Sequence, residues 1–237
     1  MRLYAKIGAW KGEKRMVYRS EIKHEISLAD KFSIISNLRA VAQPDPHAGA
    51  DGKYRIRSLY FDDWRDRALR EKIDGVNERE KFRLRLYQSG DVNLEKKVKR
   101  GGLGYKVTAP VTRQEAQRIV LGDTFWMATS GRALLIELYA RMQSEGLRPK
   151  TIVDYTRTPF VYAPGNVRIT IDEDIRTGLN CTDFLNPDCI TVPAGDPVIL
   201  LEVKWDDYLP NAIRRAIQVR GRRASAFSKY QRCRIYF

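Results

Sequence analysis

Several segments of this chain alternate charged and apolar residues with a period of two. This is the pattern of β-strands, in which successive side chains point to opposite faces. Residues 79–99 show it most clearly: Arg83 and Arg85 share one face of a predicted strand, and Glu95 and Lys97 share one face of the next. One such strand fits a sheet with a single solvated face, so the argument depends on how often the pattern recurs.

The alternation recurs along most of the chain. Further sets of residues on a common strand face are Glu21, Lys23 and Glu25; Arg55 and Arg57; Arg168, Thr170, Asp172 and Asp174; and Glu202 and Lys204. Most of these faces combine cations with one or two carboxylates, and a solvated sheet face does not need arginine so consistently. The pattern therefore predicts an α+β fold, an antiparallel β-barrel with a charged interior and helices packed outside.

Helices are predicted between the strands. Ser27 is a suitable N-cap for a helix over residues 28–41, and Thr112 with Glu115 forms a capping-box pattern before a helix that ends at residue 121. The apolar side of the first helix is expected to contain Phe32, Ile35, Leu38 and Val41. Further helices are expected at residues 63–73, 131–144, 209–219 and 226–232, an irregular stretch at 180–196, and strands at 18–26, 54–62, 79–99 (a hairpin), 103–109, 150–162, 167–174 and 197–205.

Composition and charge narrow the range of partners. The chain has 237 residues, 43% of them hydrophobic, which suits one domain over residues 1–237. Its net charge of +14 indicates an anionic partner: a nucleic acid, an anionic membrane or a phosphorylated small molecule. No apolar run approaches the length of a membrane span, and residues 1–16 lack the apolar core of a signal peptide. A cytoplasmic location is therefore expected.

Several familiar chemistries lack their motifs. The chain has no Walker-type loop, no Rossmann glycine fingerprint and no nucleophilic Ser or Cys motif, and its two histidines are far apart. The three cysteines, Cys181, Cys189 and Cys233, have no metal-type spacing, and their odd number and scatter predict a reducing compartment without a disulfide framework. What remains is a dense set of Arg and Lys, which bind phosphate. The carboxylates among them suggest Mg²⁺ or Mn²⁺.

Taken in order, eight short segments resemble the VTC-type polyphosphate polymerase domain, a branch of the triphosphate tunnel metalloenzymes. These segments are Glu21-Ile-Lys23, Arg57-Ser-Leu-Tyr-Phe-Asp62, Arg83-Leu-Arg85, Glu95-Lys-Lys97, Arg157-Thr, Arg168-Ile-Thr-Ile-Asp172, Leu201-Glu-Val-Lys204 and Phe227-Ser-Lys229-Tyr. The resemblance covers residues 18–230. It implies a barrel around a basic tunnel, in which the terminal phosphoryl group of ATP passes to a growing inorganic polyphosphate chain with Mn²⁺ or Mg²⁺ as cofactor.

The resemblance also assigns roles to residues of this chain. It implies Glu202 as the metal ligand. The catalytic residues it implies are Lys23, Arg83, Arg85, Lys97, Arg157 and Lys229, and the substrate-binding residues are Arg57, Lys99, Lys106, Arg168 and Lys204. Hydrolytic members of the superfamily open with Glu-x-Glu-x-Lys, whereas here Lys23 stands between Glu21 and Glu25. That departure favours the polymerase branch.

The expected partners are ATP and inorganic polyphosphate, with no nucleic acid and no membrane segment in this chain; the oligomeric state is left open. Two alternative functions remain at this stage. The same tunnel could hydrolyse triphosphate or polyphosphate, and the net charge alone would permit a non-catalytic polyanion or nucleic-acid binder. Tyr60 and Asp62 are expected to be structural, and Glu95 is expected to pair with a neighbouring arginine.

Overall fold

The computed structural model describes residues 19–101, 103–219, 221 and 224–235. The first 18 residues of the expected domain, including Tyr18, the first residue of the strand predicted at 18–26, lie outside this part. The strands are β1 Ser20–Ile26, β2 Gln43–Pro44, β3 Tyr54–Asp62, β4 Arg79–Tyr87, β5 Val92–Arg100, β6 Leu103–Val111, β7 Arg148–Tyr162, β8 Val167–Thr177, β9 Val192–Pro193 and β10 Ile199–Trp205. They form one sheet in the order β1-β10-β8-β7-β3-β4-β5-β6, with β2 paired to β7 and β9 to β8.

The two strands at the ends of this order come back together. The backbone N–H of Arg19, just before β1, donates to the carbonyl of Gly104 in β6 at 3.4 Å, forming an isolated antiparallel bridge. Close by, Lys97 Nζ of β5 lies 3.3 Å from Glu21 Oε2 of β1. All the strand pairs are antiparallel, so the sheet is a curled barrel, as the alternation predicted.

Most of the helices pack outside this sheet, whereas the last one contacts Tyr60 of β3 and Tyr155 of β7 on the inner side. They are α1 Leu28–Val41, α2 Arg67–Ile73, α3 Arg113–Leu121, α4 Ala133–Ser144, α5 Asn211–Ala216 and α6 Lys229–Ile235. The predicted N-cap Ser27 and the predicted capping box of Thr112 with Glu115 are both confirmed, and Ser27 also forms a capping box with Asp30. In the part of the chain that the structure describes, no helix is long and apolar enough to cross a membrane.

Apolar residues between the sheet and its helices fix which face of each strand points outward. One cluster joins the outer face of β3–β5 to α3 and α4, and another joins β1, β8 and β10 to α1 and α5. Leu84, Leu94 and Leu138 are fully buried in the first, as are Leu38, Val203 and Ile213 in the second. Burying such a side chain contributes about 1.5–3 kcal/mol. The charged residues on the opposite side of these strands must therefore point inward.

Four helices differ from the sequence expectation. The predicted apolar side of α1 was partly wrong: Leu38 is buried and Ile35 packs against the core as expected, but Phe32 is 63% exposed and Ile34 is buried instead. Helix α2 begins at Arg67 rather than residue 63, because the carboxylates of Asp62 and Asp63 accept backbone N–H groups of the turn before it. Helix α6 begins at Lys229 rather than residue 226, and α5 is shorter than expected.

Candidate active site on the inner face of the sheet

A buried carboxylate organises the inner face of β4 and β5. Glu95 Oε2 lies 2.6 Å from Arg83 Nη2 and 3.7 Å from Arg85 Nη1, while its Oε1 lies 2.6 Å from Lys106 Nζ on β6. Glu95 is 0% exposed. Burial alone would raise its pKa, but the two arginines and Lys106 hold the pKa of Glu95 well below its usual range. The predicted pairing of Glu95 with a neighbouring arginine is confirmed, and one carboxylate keeps three cations together.

A second carboxylate gathers cations from the other end of the strand order. Lys23 on β1 is directly opposite Glu202 on β10, and Lys23 Nζ lies 3.4 Å from Glu202 Oε1 and 3.3 Å from Glu21 Oε1. Lys204 Nζ lies 3.1 Å from Glu202 Oε1, and Arg157 Nη2 lies 3.8 Å from Glu202 Oε2. Burial raises the pKa of Glu202, but Lys204, Lys23 and the other nearby lysines together hold the pKa well below its usual range, so the carboxylate is ionised.

Helix α6, which is not part of the sheet, adds one more cation to this face. Arg157 on β7 donates twice to Asp172 on β8, at 2.6 and 2.8 Å, and Lys229 Nζ lies 2.6 Å from Asp172 Oδ2. Lys229 also lies over the ring of Tyr155, 4.6 Å from its centroid. The Tyr155 hydroxyl accepts a hydrogen bond from Arg85 at 3.2 Å. Tyr155 thus joins the cations around Glu95 to those around Asp172.

Tyr60 and Lys81 lie on the inner face but were not among the predicted site residues. Arg83 Nη1 donates to the hydroxyl of Tyr60 at 2.7 Å, and Lys81 Nζ lies 5.1 Å from the centroid of the Tyr60 ring. Burial raises the pKa of Tyr60, but Arg83, Lys81 and Arg85 together lower it to about 7. A signal for Lys81 was present, since it precedes Arg83 by two residues and therefore shares its face. For Tyr60 no such signal existed, because β3 is buried on both faces.

Charge is unbalanced on this inner face. Burial lowers the pKa of Lys97 to about 8, with Lys23 and Lys204 acting in the same direction, and burial also lowers the pKa of Lys81 to about 8. Among the described residues, the contacts above bring together nine cations, namely Lys23, Lys81, Arg83, Arg85, Lys97, Lys106, Arg157, Lys204 and Lys229, and four carboxylates, namely Glu21, Glu95, Asp172 and Glu202. Such an excess of positive charge favours a bound polyanion.

Of the other predicted binding residues, Lys99 and Arg168 lie on strand faces that point inward, whereas Arg57 does not. Lys99 is half-buried on the same face of β5 as Lys97. Arg168 shares the face of Lys204, but its side chain reaches away to Asp45 at 2.7 Å. The prediction for Arg57 needs correction, as described next.

Arg57 lies on the outer face of β3 rather than facing the other cations. Its register partners are Leu86 on β4 and Asp154 on β7, and its Nη2 lies 2.8 Å from Asp154 Oδ2. A second bond runs from Nη1 to the carbonyl of Asn186. The period of two correctly separates the two faces of β3, but it does not say which face is inside.

The donor set suits a divalent cation shared with a phosphate. Within the described ranges, no group of three or more His, Cys, Asp or Glu side chains could hold a metal by itself. Glu202 and Glu21 nevertheless face the same space, because Lys23 Nζ contacts both carboxylates. Mg²⁺ is commonly held by one or two carboxylates together with substrate phosphates, so Glu202 fits this kind of site.

A separate cavity of about 640 Å³ lies on the other side of β1. Ile22, His24, Trp205 and Tyr208 line it, with Arg214 as a cationic neighbour. Because Ile22 and His24 alternate with Glu21 and Lys23, this cavity is not continuous with the basic inner face.

Comparison with known families places this architecture. The family model for the VTC domain matches residues 18–236, nearly the whole chain. The chain belongs to the VTC domain family. No curated protein matches it. The family resemblance that the order of the eight sequence segments indicated is therefore confirmed. The basic face of this VTC domain is formed by β1, β4–β8 and β10.

A solved structure shares the fold at low sequence identity. A putative adenylate cyclase from Bacillus halodurans aligns with a TM-score of 0.52 at 14% identity, covering 85% of this chain and 84% of that one. A putative adenylyl cyclase from Hippeastrum, described as having a dominant triphosphatase activity, aligns with a TM-score of 0.47 at 11% identity over 79% of each chain. The fold is the triphosphate tunnel fold, a curled antiparallel sheet with helices outside.

Proposed function

We propose that this VTC domain is a polyphosphate polymerase, which transfers the terminal phosphoryl group of ATP to a growing chain of inorganic polyphosphate. The observation that carries the proposal is the set of nine cations spaced by four carboxylates on one inner face. Each carboxylate keeps like charges close without neutralising all of them. A chain of phosphates carries repeated negative charge and matches such a surface along its length.

The reaction needs little covalent chemistry from the protein. A terminal oxygen of the polymer attacks the γ-phosphorus of ATP, the bond from that phosphorus to the β,γ-bridging oxygen breaks, and ADP leaves with the electron pair. The attacking oxygen is already an anion, so no general base is required. Catalysis of this kind is mainly positioning and charge stabilisation, which a face of Arg and Lys supplies.

Individual residues have distinct parts in this proposal. Arg83 and Arg85 point to the same side of β4, separated by about 7 Å along the strand, and can hold one phosphoryl group between them. Arg157 and Lys229 supply charge from the opposite wall, where Asp172 orients both. Lys23 would hold the incoming end of the polymer near Glu202.

A divalent cation has a place in this arrangement. Glu202 would hold it, with Glu21 as its neighbour, and Mn²⁺ or Mg²⁺ would neutralise charge on the phosphates it contacts. The cationic partners of Glu202 keep that carboxylate ionised before any metal arrives. Within the proposal, phosphate oxygens complete the ligand set, because the described side chains alone do not.

Polymerase and hydrolase differ in which nucleophile reaches the phosphorus. At the position where hydrolytic relatives carry a second glutamate, Lys23 stands here and forms ion pairs with Glu21 and Glu202. A lysine attracts an anionic nucleophile such as the polymer end, whereas an added carboxylate would repel it. This replacement of charge favours phosphate over water as the attacking group.

The direct test is product analysis. Purified protein is incubated with ATP and Mn²⁺, and the products are resolved on a gel that detects long-chain polyphosphate, while ADP and orthophosphate are measured in parallel. Growing chains with one ADP released per added phosphate are expected. Orthophosphate release without chains would assign the tunnel to a hydrolase, and binding of polyphosphate without turnover would assign it to a polyanion-binding module.

A further inference from the structure

Two cysteines that are far from the basic face lie against each other. The sulfur atoms of Cys181 and Cys189 are 2.8 Å apart, within about 0.8 Å of the length of a disulfide bond. Both side chains are only half-buried, so small molecules in solution can reach them. The seven residues between them in sequence hid this pairing, because that spacing matches no metal or redox motif.

The segment that carries these thiols is fixed at both ends. Gly178 donates its backbone N–H to the carbonyl of Ile152 at 3.0 Å, and a Cβ at position 178 would approach the Ile152 Cβ to 2.9 Å. At the other end, Arg176 donates to the hydroxyl of Thr191 at 3.1 Å and to its carbonyl at 2.5 Å. Since both ends are held by the sheet, the two thiols stay close together.

The middle of the same segment is also anchored. Phe184 is fully buried in the cluster beneath α3 and α4, where both cysteines pack beside it. The carbonyl of Asn186 accepts a hydrogen bond from Arg57 on the outer face of β3. Arg57 is therefore a neighbour of the thiol pair and stabilises a thiolate there by its charge.

We propose that Cys181 and Cys189 are a redox-active pair that closes into an intramolecular disulfide on meeting a small-molecule disulfide such as oxidised glutathione. Cys181 gives its proton to solvent and attacks one sulfur of oxidised glutathione, and one glutathione thiolate leaves and is protonated. Cys189 then gives its proton to solvent and attacks the Cys181 sulfur, and the second glutathione thiolate leaves and is protonated. Two protein thiols are oxidised and one glutathione disulfide is reduced to two thiols.

The environment of Cys189 assigns it the second attack. Burial and the hydrogen bond with Cys181 raise the pKa of Cys189 to about 12, despite the opposing charge of Arg57. Cys189 is therefore the protonated member of the pair and the resolving thiol. Cys233 has no part in the exchange, because it is 1% exposed on the other side of the sheet beside Tyr230.

The disulfide closes a short loop and should be reversible. Its expected effect is to fix the Asn186 carbonyl on Arg57 and to raise the thermal midpoint of the whole protein by roughly 5–10 °C relative to the reduced form. A dithiol reductant would return the protein to its original midpoint. The proposal is independent of what the basic face binds, so it stands or falls separately from the polymerase assignment.

The test counts thiols. Fully reduced protein is incubated with oxidised glutathione, quenched with an alkylating reagent, denatured, alkylated again with a reagent of different mass and weighed intact. The reduced protein should show three reactive thiols and the oxidised protein one, with no retained glutathione and no link between chains. Cys233→Ser is the matched control and should go from two thiols to none.

Single-cysteine variants separate the pair from general oxidation. Cys181→Ser and Cys189→Ser should form no internal bond, and oxidised glutathione should not raise their thermal midpoint. Three reactive thiols in the wild-type protein after incubation would overturn the proposal, as would a disulfide that joins two chains or one that includes Cys233. Equal midpoints of the oxidised and reduced wild-type protein would overturn the stabilising role.

Discussion

At the scale of single residues, Glu95 shows how a site for an anion can exist before the anion arrives. Three cations contact its two oxygens, and the carboxylate has no exposed surface. Removing the carboxylate would leave Arg83, Arg85 and Lys106 without a counter-charge in a buried place, which typically costs about 3–5 kcal/mol. Glu95 is therefore a structural counter-ion for the three cations that we propose bind phosphate.

The first prediction compares arginines of equal charge at different places. Arg83→Ala or Arg85→Ala should lower the polymerase kcat/KM by about ten- to a hundredfold, because each removes a charge-assisted contact of about 1.5–3 kcal/mol. Arg118→Ala on the outer side of α3 removes the same charge and should leave activity near normal. Kinetics at fixed ionic strength measure both.

An equal loss from inner and outer variants would contradict this prediction. It would mean that the total charge of the protein, and not the position of Arg83 and Arg85, determines activity. The thermal midpoints of all variants serve as the control for folding.

The second prediction concerns Glu202. Glu202→Gln preserves shape and removes charge, so turnover should fall sharply while binding of ATP, measured by calorimetry, is largely retained. Normal chain synthesis by this variant would show that Glu202 is not the metal ligand. Asp172 would then be the next candidate rather than Asp174, because Asp172 is buried on the inner face whereas Asp174 is exposed.

The third prediction is a pH dependence that originates at Lys81. Its pKa of about 8 means that the ammonium form, which phosphate needs, is lost as the pH rises through 8. The pKa of Tyr60, about 7, acts in the same direction, because its phenolate repels phosphate. The charged or titratable groups that face Lys81 are Tyr60, Tyr230, Arg83, Lys97 and Lys23.

Affinity and stability should therefore respond to pH in opposite ways. Affinity for tripolyphosphate should fall between about pH 6 and 9. The folded-state pKa of both groups is lowered, so the free energy of unfolding without ligand should rise with pH between their folded and unfolded pKa values. Calorimetry at several pH values, with Lys81→Met as the control, checks this. An unchanged affinity, or the same pH dependence in Lys81→Met, would contradict it.

At the scale of elements, the alternation within strands was a reliable guide, and the reason is physical. Strands such as β4 and β5 have helices on one side and the charged space on the other, so their sequence separates into two distinct faces. β3 lies between β4 and β7 and is buried on both sides. For that strand the pattern could not show that Arg57 points out while Tyr60 points in.

Helix positions were harder to predict where tertiary contacts overrule local pattern. Phe32 fits the apolar stripe of α1 by spacing, yet the helix is rotated so that Lys31 reaches Glu173 and Ile34 packs inward. The start of α6 depends on Lys229 reaching Asp172, a contact 57 positions away in sequence that no local signal announces. The contacts that build the site are of this long-range kind.

The fourth prediction tests how α6 is held. The Tyr230 hydroxyl donates to Asp62 Oδ2 at 2.5 Å, and Asp62 also accepts the backbone N–H groups of Ala68 and Leu69 in α2. Tyr230→Phe should lower the free energy of unfolding by about 1–3 kcal/mol and weaken the placement of Lys229. Denaturant titration measures the free energy of unfolding, and Tyr208→Phe, at an exposed tyrosine, is the control. A neutral effect of both substitutions would contradict it.

At the scale of the whole molecule, the net charge of +14 acts differently on the outer surface and on the inner face of the sheet. Outer cations such as Arg118 and Arg132 are paired with carboxylates, whereas the inner face retains an excess of positive charge. Long-range attraction toward polyanions will therefore come from the whole surface, and retention from the inside. These two contributions respond differently to salt, because exposed charges are screened much more than buried ones.

The fifth prediction uses that difference. Added salt should slow the association of polyphosphate more than it speeds dissociation, and Arg118→Ala should reduce only the salt sensitivity of association. Arg83→Ala should mainly speed dissociation. Stopped-flow measurements at several ionic strengths separate the two rates. A variant of the outer surface that changed dissociation as strongly as Arg83→Ala would contradict this picture.

The seam between β1 and β6 has a mechanical consequence. In the described part of the chain, one backbone bridge, Arg19 to Gly104, closes a ring whose other seven junctions are continuous ladders. A closed sheet with one weakly paired junction can change its circumference at that junction, while the other strand pairs keep their geometry. We expect the interior of the barrel to widen at this seam when a large hydrated ligand enters, and to narrow after it has passed. Passage of the ligand is then controlled at the seam, and its binding by the strands that stay fixed.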